Sequence, residues 1–210
     1  MKKIYFVRHG ESEGNAGLIQ QDRSSPLTKK GKEQVTSVAQ RFIKLPIEIV
    51  LSSSMIRAKE TAEIISGTTN VSIEFSDLFA ERRKPSIMYG KRKDNPASVE
   101  AYKDVVINFH LPGFRHSDEE NFDDLKKRAL SALAYLSNRP EEHIVVVTHA
   151  YFLRILIACV LFGDTLTGEE CSRCTQIFYA ENTGVTIISY DAEKENPWRI
   201  WVWNDHAHLD

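Results

Sequence analysis

Arg8 and His9 stand where the first apolar run of the chain ends, and their side chains could act together on an anion. Residues 4–7 form a short apolar run rich in β-formers, which predicts a buried strand. Gly10 permits the turn that should follow. Open α/β sheets bind ligands at the carboxyl ends of their strands. A guanidinium beside an imidazole there indicates an anion site with a nucleophile or base, although the pair alone could simply be solvated.

Two further strand ends carry side chains of the same kinds. Residues 47–51 predict a second strand, and the serines at 52–54 then lead into a helix whose first turn bears Arg57. Residues 144–147 predict the clearest strand of the chain, and His149 follows it. Because the carboxyl ends of parallel strands share one edge, we expect these side chains to converge with those of the first strand end. Taken singly, the arginine could be solvated and the histidine could belong to the core.

Two guanidiniums, two imidazoles and the positive end of a helix suit a dianionic phosphoryl group. A neutral imidazole nitrogen can attack phosphorus in line while the cations stabilise the charge in transit. A nearby carboxylic acid can protonate the departing oxygen, and its ionised form can then activate water. No aspartate cluster in the sequence suggests a metal that bridges phosphates, so we expect neither a metal nor a cofactor.

Motifs along almost the whole chain resemble those of the histidine phosphatase superfamily, also called phosphoglycerate mutase-like. They are Arg8-His9-Gly10-Glu11-Ser12 with Asn15, then Ser25-Pro26-Leu27-Thr28 with Gly31; Ser52-Ser53-Ser54 with Arg57-Ala58 and Thr61-Ala62; Val147-Thr148-His149-Ala150; and Asn182, residues 185–190, Asn204-Asp205 and His208-Leu209. The resemblance implies a phosphoglycerate mutase-like fold and makes His9 the nucleophile that becomes phosphorylated.

The resemblance also implies roles for the residues around that nucleophile. Arg8, Arg57 and His149 would bind the phosphoryl oxygens. Asn15 would add a contact to phosphate or substrate. Ala150 would belong to the same phosphate-binding group, in a place where many phosphatases of the family have glycine. Its small side chain keeps the space that glycine leaves, so we expect little effect on binding.

The resemblance assigns the general acid and base to Glu81, with Glu11 and Asp205 as competing carboxylates. The segment after Glu81 lacks the Tyr-Gly-Leu-Gln-Gly-like run of cofactor-dependent phosphoglycerate mutases, and Tyr151 also departs from their pattern. We therefore expect a metal-independent phosphatase that hydrolyses a phosphate monoester through a phosphohistidine. Mutase-type phosphoryl transfer and a non-catalytic module that binds phosphorylated ligands are the alternatives. A phosphorylated metabolite or a phosphorylated protein could be the substrate.

Strands and helices alternate along the chain. This order predicts an α/β three-layer sandwich with a largely parallel central sheet, in which residues 1–210 form a single domain. An insertion or lid at about 79–118 would cover the pocket, and its basic part, residues 82–93, is interpreted as a solvated lid rather than a site for a highly charged substrate. The remaining expected elements are helices at 28–45, 97–108, 119–138 and 150–162, a helix after the serines that ends at Gly67, and strands at 71–75, 176–180, 184–190 and 198–203.

The composition of the 210-residue chain is that of a globular protein, with 42% hydrophobic and 27% charged residues. A net charge of −2 argues against nucleic-acid binding. No run is long enough for a membrane span or a signal-peptide core, which favours the cytoplasm. Of three cysteines, Cys171 and Cys174 are expected to be reduced thiols in a helix. Apolar strand edges near 176–203 could pair in a homodimer.

Overall fold

The computed structural model describes residues 1–209. Its strands are β1 (Lys2–Arg8), β2 (Ile49–Ser52), β3 (Ile73–Phe75), β4 (His143–Thr148), β5 (Val185–Tyr190) and β6 (Trp198–Asp205). Its α-helices are α1 (Glu13–Ala16), α2 (Lys29–Phe42), α3 (Ile56–Thr69), α4 (Pro96–Asn108), α5 (Phe122–Ser137), α6 (Ala150–Phe162) and α7 (Gly168–Ile177).

The six strands form one sheet in the order β3-β2-β4-β1-β5-β6. Strands β3, β2, β4 and β1 are parallel, whereas β5 runs antiparallel to β1 and β6 antiparallel to β5. Alternate side chains of β1 enter two different cores: Ile4 and Phe6 pack with helices α5 and α6, and Tyr5 and Val7 pack with α2 and α3. Helices therefore cover both faces of the sheet, which confirms the α/β architecture with its largely parallel centre.

The register of the parallel strands brings three chain segments to one edge. Arg8 pairs with Thr148 across β1 and β4, and Ser52 pairs with Val147 across β2 and β4. The backbone N–H of His9 donates to the carbonyl oxygen of Thr148 at 3.0 Å, which continues this alignment past the end of β1. The residues that follow β1, β2 and β4 thus emerge level with one another.

The predicted strand at 176–180 is wrong, because helix α7 continues to Ile177. Thr167 and Glu170 form a capping box at its start, each side chain accepting a hydrogen bond from the other residue's backbone N–H. The apolar residues after Gln176 favoured a strand in the sequence, but the helix carries the first of them, Ile177. The cysteines that we expected in a helix, Cys171 and Cys174, lie in α7 as free thiols.

Helix α3 also differs from its predicted boundaries. It passes through Gly67 and continues to Thr69, and its C-cap, Asn70, adopts the left-handed conformation with φ of 57°. Asparagine tolerates this conformation, so a glycine was not required for the stop. The serines before the helix do not cap it, since the N-cap is Met55. Among residues 1–209, no helix has both the length and the apolar character that crossing a bilayer requires.

Candidate active site

The side chain of His9 is held in one tautomer by two hydrogen bonds. Its Nδ1 lies 2.7 Å from the carbonyl oxygen of Gly10, which can only accept, so the proton is on Nδ1. Nε2 then carries the lone pair, and the Nε–H of Arg57 donates to it at 3.2 Å. The imidazole is only 2% exposed. The nitrogen available for nucleophilic attack is therefore Nε2, and it faces a guanidinium.

The electrostatic surroundings keep His9 neutral. Burial is the largest cause, and the charges of Arg57 and Arg8 add to it, so that the pKa of His9 lies well below its usual 6.5. The bond to Gly10 opposes the shift without reversing it. A neutral imidazole keeps its lone pair free at the pH of a cell, as a nucleophile requires.

His149 lies beside His9 and is fully buried. The two ring centres are 5.0 Å apart, and Nε2 of His149 is 2.8 Å from the hydroxyl oxygen of Ser53. Its Nδ1 is buried and has no hydrogen-bond partner within the described chain. Burial and the charge of Arg57 place the pKa of His149 well below 6.5 as well. The third strand end thus brings a neutral imidazole to the first.

Arg57 is a buried cation at the start of α3, with 2% of its surface exposed. Besides its bond to His9, its Nη1 donates to the carbonyl oxygen of Asp22 at 2.9 Å. Burial lowers the pKa of Arg57 to about 10, and the carboxylate of Glu81 opposes that shift. At neutral pH the guanidinium therefore stays charged although it is almost completely buried.

Arg8 supplies a second guanidinium to the same place. Its Nη1 donates to the carbonyl oxygen of Ala180 at 2.7 Å, and its Nε is buried without a partner in the described residues. Burial lowers the pKa of Arg8, and Glu81 is the largest opposing influence. The four side chains that the sequence predicted to converge, those of residues 8, 9, 57 and 149, lie together at the sheet edge.

Glu81 reaches this edge from the loop that follows β3. Its carboxylate accepts backbone N–H groups from Arg82 at 2.9 Å, Tyr151 at 3.2 Å and Phe152 at 3.0 Å. The last two belong to the first turn of α6, where unpaired N–H groups and the helix dipole attract an anion. The start of α6 therefore fixes the Glu81 carboxylate close to His149, the residue that precedes this helix.

The two competing carboxylates are engaged elsewhere. Glu11 accepts a hydrogen bond from the Thr28 hydroxyl at 2.9 Å and forms an ion pair with Lys30 at 3.3 Å. Asp205 forms an ion pair with Arg41. Neither carboxylate has a hydrogen bond to the histidines of the site in the described part of the chain. Glu81 is thus the carboxylate best placed for proton transfer.

Asn15 contacts the site indirectly. Its Oδ1 accepts hydrogen bonds from the backbone N–H and the hydroxyl of Ser12, the N-cap of helix α1, and from Nδ2 of Asn182 at 3.4 Å. That same amide nitrogen donates to the carbonyl oxygen of His9 at 2.8 Å. Ala150 is the first residue of α6 and so belongs to the positive helix end. Both residues lie near the nucleophile, but neither has a side-chain hydrogen bond to it.

Comparison with known proteins identifies the family. The sequence model of the histidine phosphatase superfamily (branch 1) matches residues 4–206. The chain belongs to this superfamily. The resemblance in the motifs is thereby confirmed, and the match covers all the strand ends described above.

Relatives of this superfamily chain carry different names. It is 28% identical over 199 residues to "Putative phosphoserine phosphatase 2" of Hydrogenobacter thermophilus, with 92% of each chain covered. It is 28% identical to "Probable phosphoglycerate mutase GpmB" of Salmonella arizonae, covering all of this chain and 96% of that one. Among solved structures, a histidine-to-alanine mutant of the Entamoeba histolytica phosphoserine phosphatase in complex with phosphoserine superposes with a TM-score of 0.78 at 25% identity over the full length of both chains.

Two positioning residues were not assigned a role from the sequence. Ser53 orients His149, and Asn182 holds the backbone of His9. Ser53 could have been found, because it follows β2 at the same edge as the other site residues. Asn182 lies in the turn before the antiparallel strand β5, so strand ends do not point to it; the family motif singled it out without giving it a role.

Two cavities adjoin the site of this superfamily member. A cleft of about 510 Å³ is lined by Glu81, Met55 and Tyr89 among others. A smaller cavity of about 60 Å³ shares those residues and also contacts Arg57 and Arg82. In residues 1–209, no group of three or more His, Cys, Asp or Glu side chains is arranged to hold a metal ion.

Proposed function

We propose that this chain hydrolyses small phosphate monoesters through a phosphohistidine formed on Nε2 of His9. The observation that carries the proposal is the pair of hydrogen bonds at His9, which leaves the Nε2 lone pair facing a buried guanidinium. Arg8, Arg57 and His149 surround this nitrogen and would bind the phosphoryl oxygens. The family match and the phosphatase names among its relatives support the same activity.

In the first step, Nε2 of His9 attacks phosphorus and the bond from phosphorus to the ester oxygen breaks. The Arg57 N–H that now donates to Nε2 moves to a phosphoryl oxygen. Glu81, entering as the acid, gives its proton to the departing oxygen and becomes a carboxylate. In the second step, this carboxylate takes a proton from water, and the resulting hydroxide attacks the phosphohistidine. Inorganic phosphate leaves, and both residues return to their starting states.

We further propose that the reaction uses no metal, because the two buried guanidiniums of Arg8 and Arg57 can supply the positive charge that phosphoryl transfer needs. A screen of phosphorylated metabolites with EDTA present throughout tests this point. Phosphate release should proceed at the same rate with and without the chelator. A rate that EDTA abolishes and added Mg²⁺ restores would contradict metal independence, whereas release of no phosphate from any ester would favour a binding module.

Mutase-type transfer is the second candidate, because one relative is named a phosphoglycerate mutase. Incubation with 3-phosphoglycerate separates the two reactions. We expect phosphate release to exceed formation of 2-phosphoglycerate; the reverse would assign the chain to the mutases.

A lid formed by residues 79–118 is part of the proposal, since Arg82 and Tyr89 line the pocket. The single-domain organisation, a homodimer and a cytoplasmic location stay predictions.

The buried histidines should make the fold sensitive to acid. Below pH 6.5 the unfolded chain protonates His9 and His149, whereas the folded protein, in which both pKa values are lowered, does not. The free energy of unfolding should therefore decrease as the pH falls from 6.5 to 5, with a slope approaching about 1.4 kcal/mol per pH unit for each such histidine. His208, whose pKa burial lowers to about 4, acts in the same direction.

Urea unfolding at several pH values measures this slope. The variant His9→Asn removes one buried imidazole, so its slope should be smaller than that of the wild type. The matched control is His206→Asn, at an exposed position, which should keep the wild-type slope. Equal slopes for all three proteins would show that His9 is protonated equally in the folded and unfolded states.

A further inference from the structure

Arg82 carries a buried positive charge that the mechanism above does not use. The residue is 7% exposed, and its guanidinium carbon lies 4.0 Å from the ring centre of Tyr151 and 5.6 Å from that of Phe109. Its Nη1 is buried without a hydrogen-bond partner, and no carboxylate of the described residues forms an ion pair with it. This burial contradicts the interpretation of residues 82–93 as a fully solvated lid. Burying a cation without a partner costs free energy, and an anionic ligand would offset that cost.

Lys84 lies two residues further along and is also without an anionic partner. Its Nζ donates to the amide oxygen of Gln20 at 3.1 Å, and no ion pair joins it to a carboxylate in residues 1–209. Burial is the main cause that lowers the pKa of Lys84, and the nearby charge of Arg82 lowers it further, while Glu81 opposes both. The positive charges of Arg82 and Lys84 are therefore close enough to interact electrostatically.

Both cations line the cavity of about 60 Å³ that also contacts Arg57 and Glu81. The second positive pair is thus continuous with the phosphate site and adjoins the proposed general acid. Two other arginines that line the neighbouring cleft are neutralised by carboxylates. Arg23 pairs with Asp77 at 2.7 Å. Arg128 likewise pairs with Glu120, at 2.8 Å.

We propose that Arg82 and Lys84 bind a carboxylate that the substrate carries next to its phosphate ester, so that the substrate class is phosphorylated hydroxy acids. The small cavity fits a planar carboxylate, to which a guanidinium can donate two parallel hydrogen bonds. The aromatic rings of Tyr151 and Phe109 hold the guanidinium in place, which reduces the entropy lost on binding. This inference rests on the proposed function, since it assumes that the phosphate occupies the site at His9.

Two pairs of compounds test how much a carboxylate on the substrate contributes to kcat/KM. Phosphoserine differs from phosphoethanolamine, and 3-phosphoglycerate from glycerol 3-phosphate, mainly in having a carboxylate where the other compound has none. For at least one pair, kcat/KM of the wild type should be about 10- to 100-fold higher for the carboxylate compound, the loss expected when a charged hydrogen bond goes unmade. Equal values within both pairs would overturn the subsite.

Substitutions test whether Arg82 and Lys84 cause the preference for the carboxylate compound. Arg82→Gln and Lys84→Met should each reduce the preference about tenfold or more, mainly through KM, while the rate for the compound without a carboxylate falls much less. Lys84→Met serves as the second variant in case loss of the stacked arginine unfolds the loop. Arg92→Gln is the matched control, because Arg92 is exposed and pairs with Asp94 in the same segment. Its preference should equal that of the wild type.

Binding measurements separate this inference from the phosphatase proposal. Calorimetric titration of the inactive His9→Ala protein should give tighter binding of the carboxylate compound in the preferred pair. If that preference is present but the wild type hydrolyses neither compound, the phosphatase proposal fails and the subsite stands. If the wild type hydrolyses both compounds of each pair equally, or Arg82→Gln and Lys84→Met both keep the full preference, the subsite fails and the phosphatase proposal stands.

Discussion

Replacement of His9 by alanine should abolish turnover, with a loss on the order of 10⁴-fold or more, because it removes the atom that accepts the phosphoryl group. The neighbouring guanidiniums remain in that variant, so phosphate binding should persist. A quenched reaction of the wild type with ³²P-labelled substrate should give protein-bound phosphate that is labile in acid and stable in base. The His9→Ala protein should carry no such label.

The matched control is His206→Ala, at an exposed histidine far along the chain. It should be labelled and active like the wild type. Circular dichroism checks that both variants are folded. Label on a serine or a cysteine, or label that persists in the His9→Ala protein, would place the covalent intermediate on another residue and end the proposed mechanism.

Replacement of Glu81 by glutamine should slow turnover by roughly 10²- to 10⁴-fold, the range that general acid–base catalysis contributes. The amide cannot give up a proton to the leaving oxygen or take one from water. Phosphate should bind nearly as well as in the wild type, because the guanidiniums and imidazoles are unchanged. Formation of the phosphohistidine should depend on the leaving group, whereas its hydrolysis should not, and this difference can be tested.

An ester with an acidic alcohol, such as p-nitrophenyl phosphate, needs little protonation when it leaves. With that substrate the Glu81→Gln protein should still form phosphohistidine quickly but hydrolyse it slowly, so a burst of nitrophenolate should precede slow turnover. The control is Glu63→Gln, at an exposed position on α3. Wild-type turnover in the Glu81→Gln protein would remove this residue from the mechanism.

Part of the site could be predicted from the sequence because it depends on strand ends. The apolar runs before His9 and His149 are short and unbroken, and parallel strands of that kind finish at a common edge. Residues delivered directly by those ends, together with Arg57 in the first turn of the next helix, therefore lie where the pattern put them. Each of these residues lies within a few residues of a strand end, so the covalent chain holds it close to the sheet edge.

The parts that depend on loops could not be predicted in this way. Glu81 reaches the site only because its carboxylate binds the start of α6, seventy residues later in the chain. Arg82 looked solvated in a basic segment, but Tyr151 and Phe109 cover it. The contacts of Glu81 and Arg82 join distant segments and leave no periodic pattern. The incorrect strand at 176–180 has a different, local origin, because the capping box of Thr167 and Glu170 starts a helix that carries Ile177.

The turn before β5 has a consequence for the order in which this protein can become functional. Asn182 donates to the carbonyl oxygen of His9, and the backbone of Arg8 exchanges two hydrogen bonds with this turn: its N–H donates to Gly184, and its carbonyl oxygen accepts from Thr183. These bonds close a loop of more than 170 residues, the kind of contact that forms late in folding. A chain whose last two strands have not yet joined the sheet therefore lacks these bonds to the backbone of Arg8 and His9, so recovery of activity on refolding should coincide with the final structural phase.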